Sequence, residues 1–147
     1  MKTVITKSEI ETIKLAKEIA GKLKGGDLVA LEGNLGAGKT VLVKGIARAL
    51  GIKKTVQSPT FVIMMLYQVP AKAGKKANKL KYLCHIDAYR IKEKDVLAIG
   101  AEDYFARPDT LTIIEWAGKI KKILPKKAKW ITITAIGKEK RSFKLNF

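Results

Sequence analysis

The chain has 147 residues, 30 lysines and arginines against 13 aspartates and glutamates, and a formal net charge of +17. That length suits a single domain, 1–147, with a full hydrophobic core, and no apolar run reaches the ~18 residues of a membrane span. The start, MKTVITKSEI, lacks the apolar stretch of a signal peptide, and the one cysteine, Cys84, rules out an internal disulfide. The expectation is a cytoplasmic protein, without a membrane partner, whose thiol is buried and inert.

In chain order, Ser8-Glu9-Ile10-Glu11 predicts a capping box that opens a helix. Its apolar stripe is Ile10, Ile13, Leu15, Ala16, Ile19, Ala20 and Leu23. Gly25-Gly26-Asp27 is a turn, and 28–32 reads as a buried strand. Next comes Gly33-Asn34-Leu35-Gly36-Ala37-Gly38-Lys39-Thr40, which matches the phosphate-loop pattern G-x-x-x-x-G-K-[ST]. From Val41 the apolar spacing is helical and stops at Gly51. Residues 57–60 form a loop, 61–69 a strand, 70–79 a polar, lysine-rich surface loop and 80–86 another strand. Residues 92–99 predict a short helix, 110–115 a buried strand and 118–124 a short helix. Residues 130–136 and 142–147 predict a terminal hairpin around Gly137-Lys138-Glu139. The sum is a small α/β sheet with helices on its faces, made mixed by the hairpin, with a nucleotide at the carboxyl ends of the parallel strands.

The phosphate loop carries the chemistry. A triphosphate that leaves water needs its solvation replaced by backbone N–H groups, and Gly33, Gly36 and Gly38 let the chain curl around the anion. The helix that follows aims its free N–H groups and positive dipole end at the same spot. Lys39 reaches the β- and γ-phosphates, and the Thr40 hydroxyl is placed to ligate Mg²⁺. The nucleotide-binding set is therefore Gly33, Asn34, Leu35, Gly36, Ala37, Gly38, Lys39, Thr40 and Val41. An N-K-x-D guanine motif is not present, which favours adenine.

Two strands end in a carboxylate, Asp87 and Glu115. Beside a phosphate loop such acids hold Mg²⁺ or orient the attacking water. Thr40, Asp87 and Glu115 are the metal candidates; Lys39, Asp87 and Glu115 are the catalytic ones. Ser58, Pro59, Thr60 and Phe61 lie where switch segments lie, with a plain proline turn as the competing reading. His85 precedes Asp87 by one strand period and faces the same way. Without a second histidine or a cysteine pair it reads as a structural histidine at the site's edge. Trp116 is a packing residue or a partner contact, and Arg90 a phosphate neutraliser or half of an ion pair.

These motifs fall into one order: residues 31–40, Ser58-Pro59-Thr60-Phe61, His85-Ile86-Asp87-Ala88-Tyr89-Arg90, Glu102-Asp103-Tyr104, Ile114-Glu115-Trp116 and Leu124-Pro125. The chain resembles the TsaE (YjeE) family, small ATPases of bacterial tRNA threonylcarbamoyladenosine synthesis, over nearly its whole length. The resemblance implies a three-layer phosphate-loop NTPase fold with a mixed sheet. It implies ATP and Mg²⁺ as cofactors and weak intrinsic hydrolysis. It implies TsaB and TsaD homologues as partners, and an ATP cycle that resets their complex between turnovers. Carried over, Lys39 binds phosphates, Thr40 binds Mg²⁺, Asp87 and Glu115 serve metal and water, the 58–61 loop switches, and Trp116 belongs to the same edge. The chain departs from the family's usual pattern in Asn34, where an acid is common, in a longer 70–80 segment and in its positive charge.

The charge supports an alternative, a nucleotide-switched RNA-binding module that touches tRNA directly. Only Arg48, Arg90, Arg107 and Arg141 are arginines, so a lysine-rich solvated surface competes with that reading. A small-molecule kinase is the third, with little chain left for a lid or an acceptor pocket.

Overall fold

A computed structural model describes residues 1–59, 61–71 and 79–147. In chain order the elements are β1 Lys2–Thr6, α1 Glu9–Ala20, β2 Leu28–Glu32, α2 Lys39–Ala49, β3 Met64–Gln68 and β4 Tyr82–Asp87. They continue with α3 Glu93–Ala98, a 3₁₀ turn Ala101–Tyr104, β5 Thr110–Glu115, a 3₁₀ segment Ala117–Ile123, β6 Lys129–Ala135 and β7 Arg141–Leu145. The strands form one sheet in the order β1-β7-β6-β2-β5-β4-β3. β6, β2, β5 and β4 run parallel, while β1, β7 and β3 pair antiparallel. No helix among the described residues is long and apolar enough to cross a membrane.

Alternation along the central strands divides the core in two. Val29, Leu31, Leu83, Leu111 and Ile113 pack with α1 and α2 on one face. Leu28, Ala30, Cys84, Ile86 and Ile114 pack with α3 and the two 3₁₀ segments on the other. Because side chains alternate faces with period two, this parity fixes where the strand-end acids point. His85 and Asp87 follow Leu83, and Glu115 follows Ile113, all on the α2 face. The three-layer α/β arrangement expected from the sequence is present, hairpin included. Cys84 is fully buried, and burial pushes its thiol up to about 12.

Local signals explain the helix ends. Ser8 Oγ accepts from the Glu11 N–H at 3.2 Å. The Glu11 carboxylate reaches back to the Lys7 N–H at 2.7 Å, one residue before the expected partner. α2 closes on Gly51, φ +81°, with Gly51 N–H bonded to Arg48 O and Ile52 N–H to Ala47 O, both at 3.0 Å. This is the left-handed glycine stop that satisfies the last carbonyls.

Several expectations are corrected. Ile10 is 68 % exposed rather than part of the buried stripe. Thr12 takes a buried place instead, hydrogen-bonded to Thr6 Oγ1 at 2.9 Å and donating to Ser8 O. The strand expected over 61–69 begins only at Met64, because Phe61 and Val62 turn and Ile63 adopts φ +69°, with its N–H on Pro59 O at 2.6 Å. The helix expected over 118–124 is 3₁₀ and broken at Ile120. β1 was not expected at all. Of the 70–79 loop, residues 72–78 lie outside the described residues, as does Thr60.

Candidate functional site

The carboxyl ends of β2, β5 and β4 meet the amino end of α2, and the phosphate loop spans the junction. β2 is the central strand here, flanked by β5 and β6, so the loop is anchored on both sides. Gly33 shows why no side chain is tolerated: a Cβ there would stand 2.5 Å from Ile133 O on β6. Gly38 caps α2 at φ +105°, a left-handed turn that suits glycine. Arg141 on β7 reaches across to the loop, its Nε donating to Ala37 O at 3.0 Å.

A cavity of about 520 Å³ opens over this junction, a size suited to a small-molecule ligand. From the loop and α2 it is lined by Leu35, Gly36, Gly38, Lys39, Thr40 and Val41. Ser58, Asp87, Tyr89, Arg90, Glu115 and Trp116 complete the wall. The structure therefore brings together most of the residues that the sequence singles out. Gly33, Asn34 and Ala37 instead line a neighbouring cavity between the loop and β6. Pro59 and Phe61 are not in the wall. Phe61 is exposed, with the Arg90 guanidinium 5.2 Å from its ring centroid.

Lys39 is 5 % exposed. Its Nζ donates to Gly33 O at 2.5 Å and Asn34 O at 3.1 Å, and it lies 3.9 Å from the centroid of the Trp116 ring. Burial lowers its pKa, and the carboxylates of Glu115, Glu32 and Asp87 oppose that shift. Thr40 Oγ1 donates to Glu115, with Oε1 and Oε2 at 3.1 and 3.2 Å. Glu115 is almost wholly buried and also sits 2.8 Å from His85 Nε2. An ionised carboxylate only accepts, so the ring donates from Nε2. His85 Nδ1 is buried and has no hydrogen-bond partner among the described residues.

Asp87 pairs with Glu115 in the β4–β5 register. It accepts from Ser58 Oγ at 3.0 Å and from the Tyr89 N–H at 2.8 Å. The set of one hydroxyl and two carboxylates is a hard oxygen set of the kind that suits Mg²⁺. Among the described residues no group of three or more Asp, Glu, His or Cys side chains forms a cage for a metal alone. That composition fits a magnesium ion bound chiefly through a ligand's phosphates.

Two features escape sequence reasoning, the Tyr89–Trp116 stack and the Glu32 contact with Gly118. Tyr89 stacks on Trp116 with ring centroids 4.8 Å apart, and Lys119 Nζ bonds Tyr89 O at 2.5 Å. Trp116 itself sits at φ +58°, a strained conformation for a bulky residue. It turns the indole back over Lys39. Glu32, at the end of β2, accepts the Gly118 N–H and fixes the start of the 3₁₀ segment. The position of Tyr89, two residues past Asp87, is the one signal that points to it.

The profile of the family described as "Threonylcarbamoyl adenosine biosynthesis protein TsaE" matches residues 6–143. A Bacillus subtilis protein named tRNA threonylcarbamoyladenosine biosynthesis protein TsaE is 37 % identical over 131 residues, covering 89 % of this chain and 76 % of its own. The Aquifex aeolicus protein of the same name is 41 % identical over 118 residues, covering 79 % and 77 %. The crystal structure of Bacillus subtilis YdiB superposes with a TM-score of 0.77 at 33 % identity, over 98 % of this chain and 83 % of that one. With the phosphate loop, the two strand-end acids and the mixed seven-stranded sheet in place, the chain belongs to the TsaE family.

Proposed function

We propose that this protein is an ATPase that binds ATP with Mg²⁺ and hydrolyses it slowly. In this reading it serves as the accessory subunit of tRNA N6-threonylcarbamoyladenosine synthesis, and its ATP cycle resets a complex of TsaB and TsaD homologues between turnovers. The convergence of Lys39, Thr40, Asp87 and Glu115 on one cavity over the phosphate loop carries the reading. Phosphoryl transfer to water needs positioning and charge neutralisation more than covalent chemistry. The loop's N–H groups and the α2 amino terminus hold the phosphates, and Lys39 exchanges its two carbonyl contacts for phosphate oxygens. Thr40, with Asp87 directly or through water, holds Mg²⁺, which supplies charge neutralisation when bound. Glu115 accepts a proton from the attacking water or orients it.

Arg90 lines the cavity but stacks on Phe61, so charge at the transferring group is incompletely neutralised. Slow turnover alone, faster with partners, follows from that. The test is steady-state ATP hydrolysis with Mg²⁺, alone and with purified TsaB–TsaD homologues. We expect slow turnover that rises with partners. Lys39→Ala should lose nucleotide affinity by about tenfold or more, the value of a charge-assisted hydrogen bond. Glu115→Gln should retain ATP and lose hydrolysis by about 10²-fold or more. Full activity in Lys39→Ala sinks the assignment.

A further inference from the structure

The four parallel strands begin on the side of the sheet opposite the phosphate loop, and the segments leading into them carry an unusual charge distribution. Acids and bases mix at the carboxyl end: Glu32, Asp87 and Glu115 stand at the junction with Lys39 and Arg90, and Glu9 and Glu139 stand with Lys138 and Arg141. At the amino end Lys22 and Lys24 precede β2, Lys81 precedes β4, Arg107 precedes β5, and Lys126 and Lys127 precede β6; all are exposed. The acids in these segments, Asp27 and Asp109, are committed to Lys129 at 2.7 Å and to Arg107 at 2.9 Å. Glu18, Glu102 and Asp103 stand on the elements leading in, as do Lys17, Arg48 and Lys79. Within these amino-end segments the basic residues outnumber the acids, and both acids there are already paired.

The segments form one platform. Gly26 N–H donates to Thr110 O at 2.9 Å and Lys81 N–H to Asp109 O at 2.7 Å. Gly25 lies so close to Pro108 that a Cβ would overlap its carbonyl oxygen. Arg107 sits 5.7 and 5.6 Å from the ring centroids of Tyr82 and Tyr104, which hold it in place.

We propose that this amino-end face binds the phosphate backbone of RNA, on the side of the molecule away from the nucleotide site. The proposal rests on the tRNA-linked reading of the family and not on ATP hydrolysis. Lysines dominate, which suits contact with phosphates as point charges rather than the reading of bases. An anionic membrane fits less well. Surface-bound proteins sink apolar side chains into the headgroup region, and among the described residues no exposed large hydrophobic lies in these segments.

The test is titration of fluorescently labelled tRNA with the whole chain across a salt series, alongside phosphatidylserine vesicles. Lys126→Glu/Lys127→Glu is compared with Lys14→Glu/Lys44→Glu, an equal charge change on the mid-helix surfaces of α1 and α2. We expect tRNA binding that weakens steeply with salt. The 126/127 pair should lose about tenfold and flatten the salt slope by about 1 to 2, while the control loses under about threefold. No binding at low salt overturns the proposal, and so does equal loss in both variants. Vesicle binding as tight as tRNA binding overturns the choice of RNA. Nucleotide affinity, measured in the same variants, stays at the wild-type value; absence of nucleotide binding by the wild-type chain would instead count against the ATPase reading.

Discussion

Glu115 stands between a residue of the phosphate loop and a fully buried histidine, and that position sets its expected behaviour. The Thr40 hydroxyl and His85 Nε2 both bond its carboxylate, so its orientation is fixed before any ligand arrives. We predict that His85→Asn lowers kcat by about tenfold, since a positioning error near 1 Å costs up to ~10²-fold, while KM changes little. A proportional change in KM in steady-state kinetics would assign His85 to ligand retention instead. Lys39 supplies a pH prediction. Burial favours its neutral form, so protons leave below the usual 10.5. In the folded, ligand-free chain this lysine binds fewer protons than it does unfolded, so its share of stability is least below the folded pKa and grows as pH rises toward 10.5. Nucleotide affinity, which needs the charged form, runs the other way: it should fall with rising pH before an ordinary lysine would titrate. Fluorescent-nucleotide titrations from neutral to alkaline pH check this; a flat profile up to 10.5 would contradict it.

At the scale of elements, α1 and α2 lie close enough to share one glycine. A Cβ at Gly45 would stand 2.5 Å from the Ala16 Cβ. Alanine gains about 1 kcal/mol of helix propensity over glycine, and overpacking costs about 1–3 kcal/mol, so the clash wins. Gly45→Ala should lower the denaturant midpoint and not the cavity chemistry; an unchanged or raised midpoint in urea would show that the helices part freely. The elements that the sequence reveals are those whose signal is local. The phosphate loop, Gly51 and the run at 110–115 each carry their cause within a few residues. β1 does not. Lys2–Thr6 is short, mostly exposed, and pairs with β7 at the far end of the chain, so its reason for existing is a neighbour more than a hundred residues away. Ile10, Phe61 and Val62 fail for the same kind of reason: they are left at the surface by how α1 and β3 are placed. In the candidate site, residue types and spacing nominate Lys39, Thr40, Asp87 and Glu115, which line one cavity. The contact of Lys39 with Trp116, the Arg141 brace on Ala37 and the stacking of Tyr89 arise only once the strands are ordered.

For the whole molecule, β1 closes the sheet beyond β7. Removing residues 1–6 would leave the outer edge of β7 bare and uncover part of the core around Phe143. We predict a fall in stability of about 1–3 kcal/mol with ATP binding retained at low temperature. Chemical denaturation beside nucleotide titration reads both; loss of nucleotide affinity without loss of stability would mean that β1 acts on the site through Arg141.

The buried thiol has a practical consequence. Cys84 is the chain's one cysteine, is fully enclosed, and has its pKa raised to about 12. At neutral pH it holds almost no thiolate, the form that reacts. A cysteine introduced on the surface would therefore take a maleimide dye alone, with no need to remove the native residue. Probes set singly at either end of the sheet would test the two proposed ligands independently, in an otherwise unaltered chain.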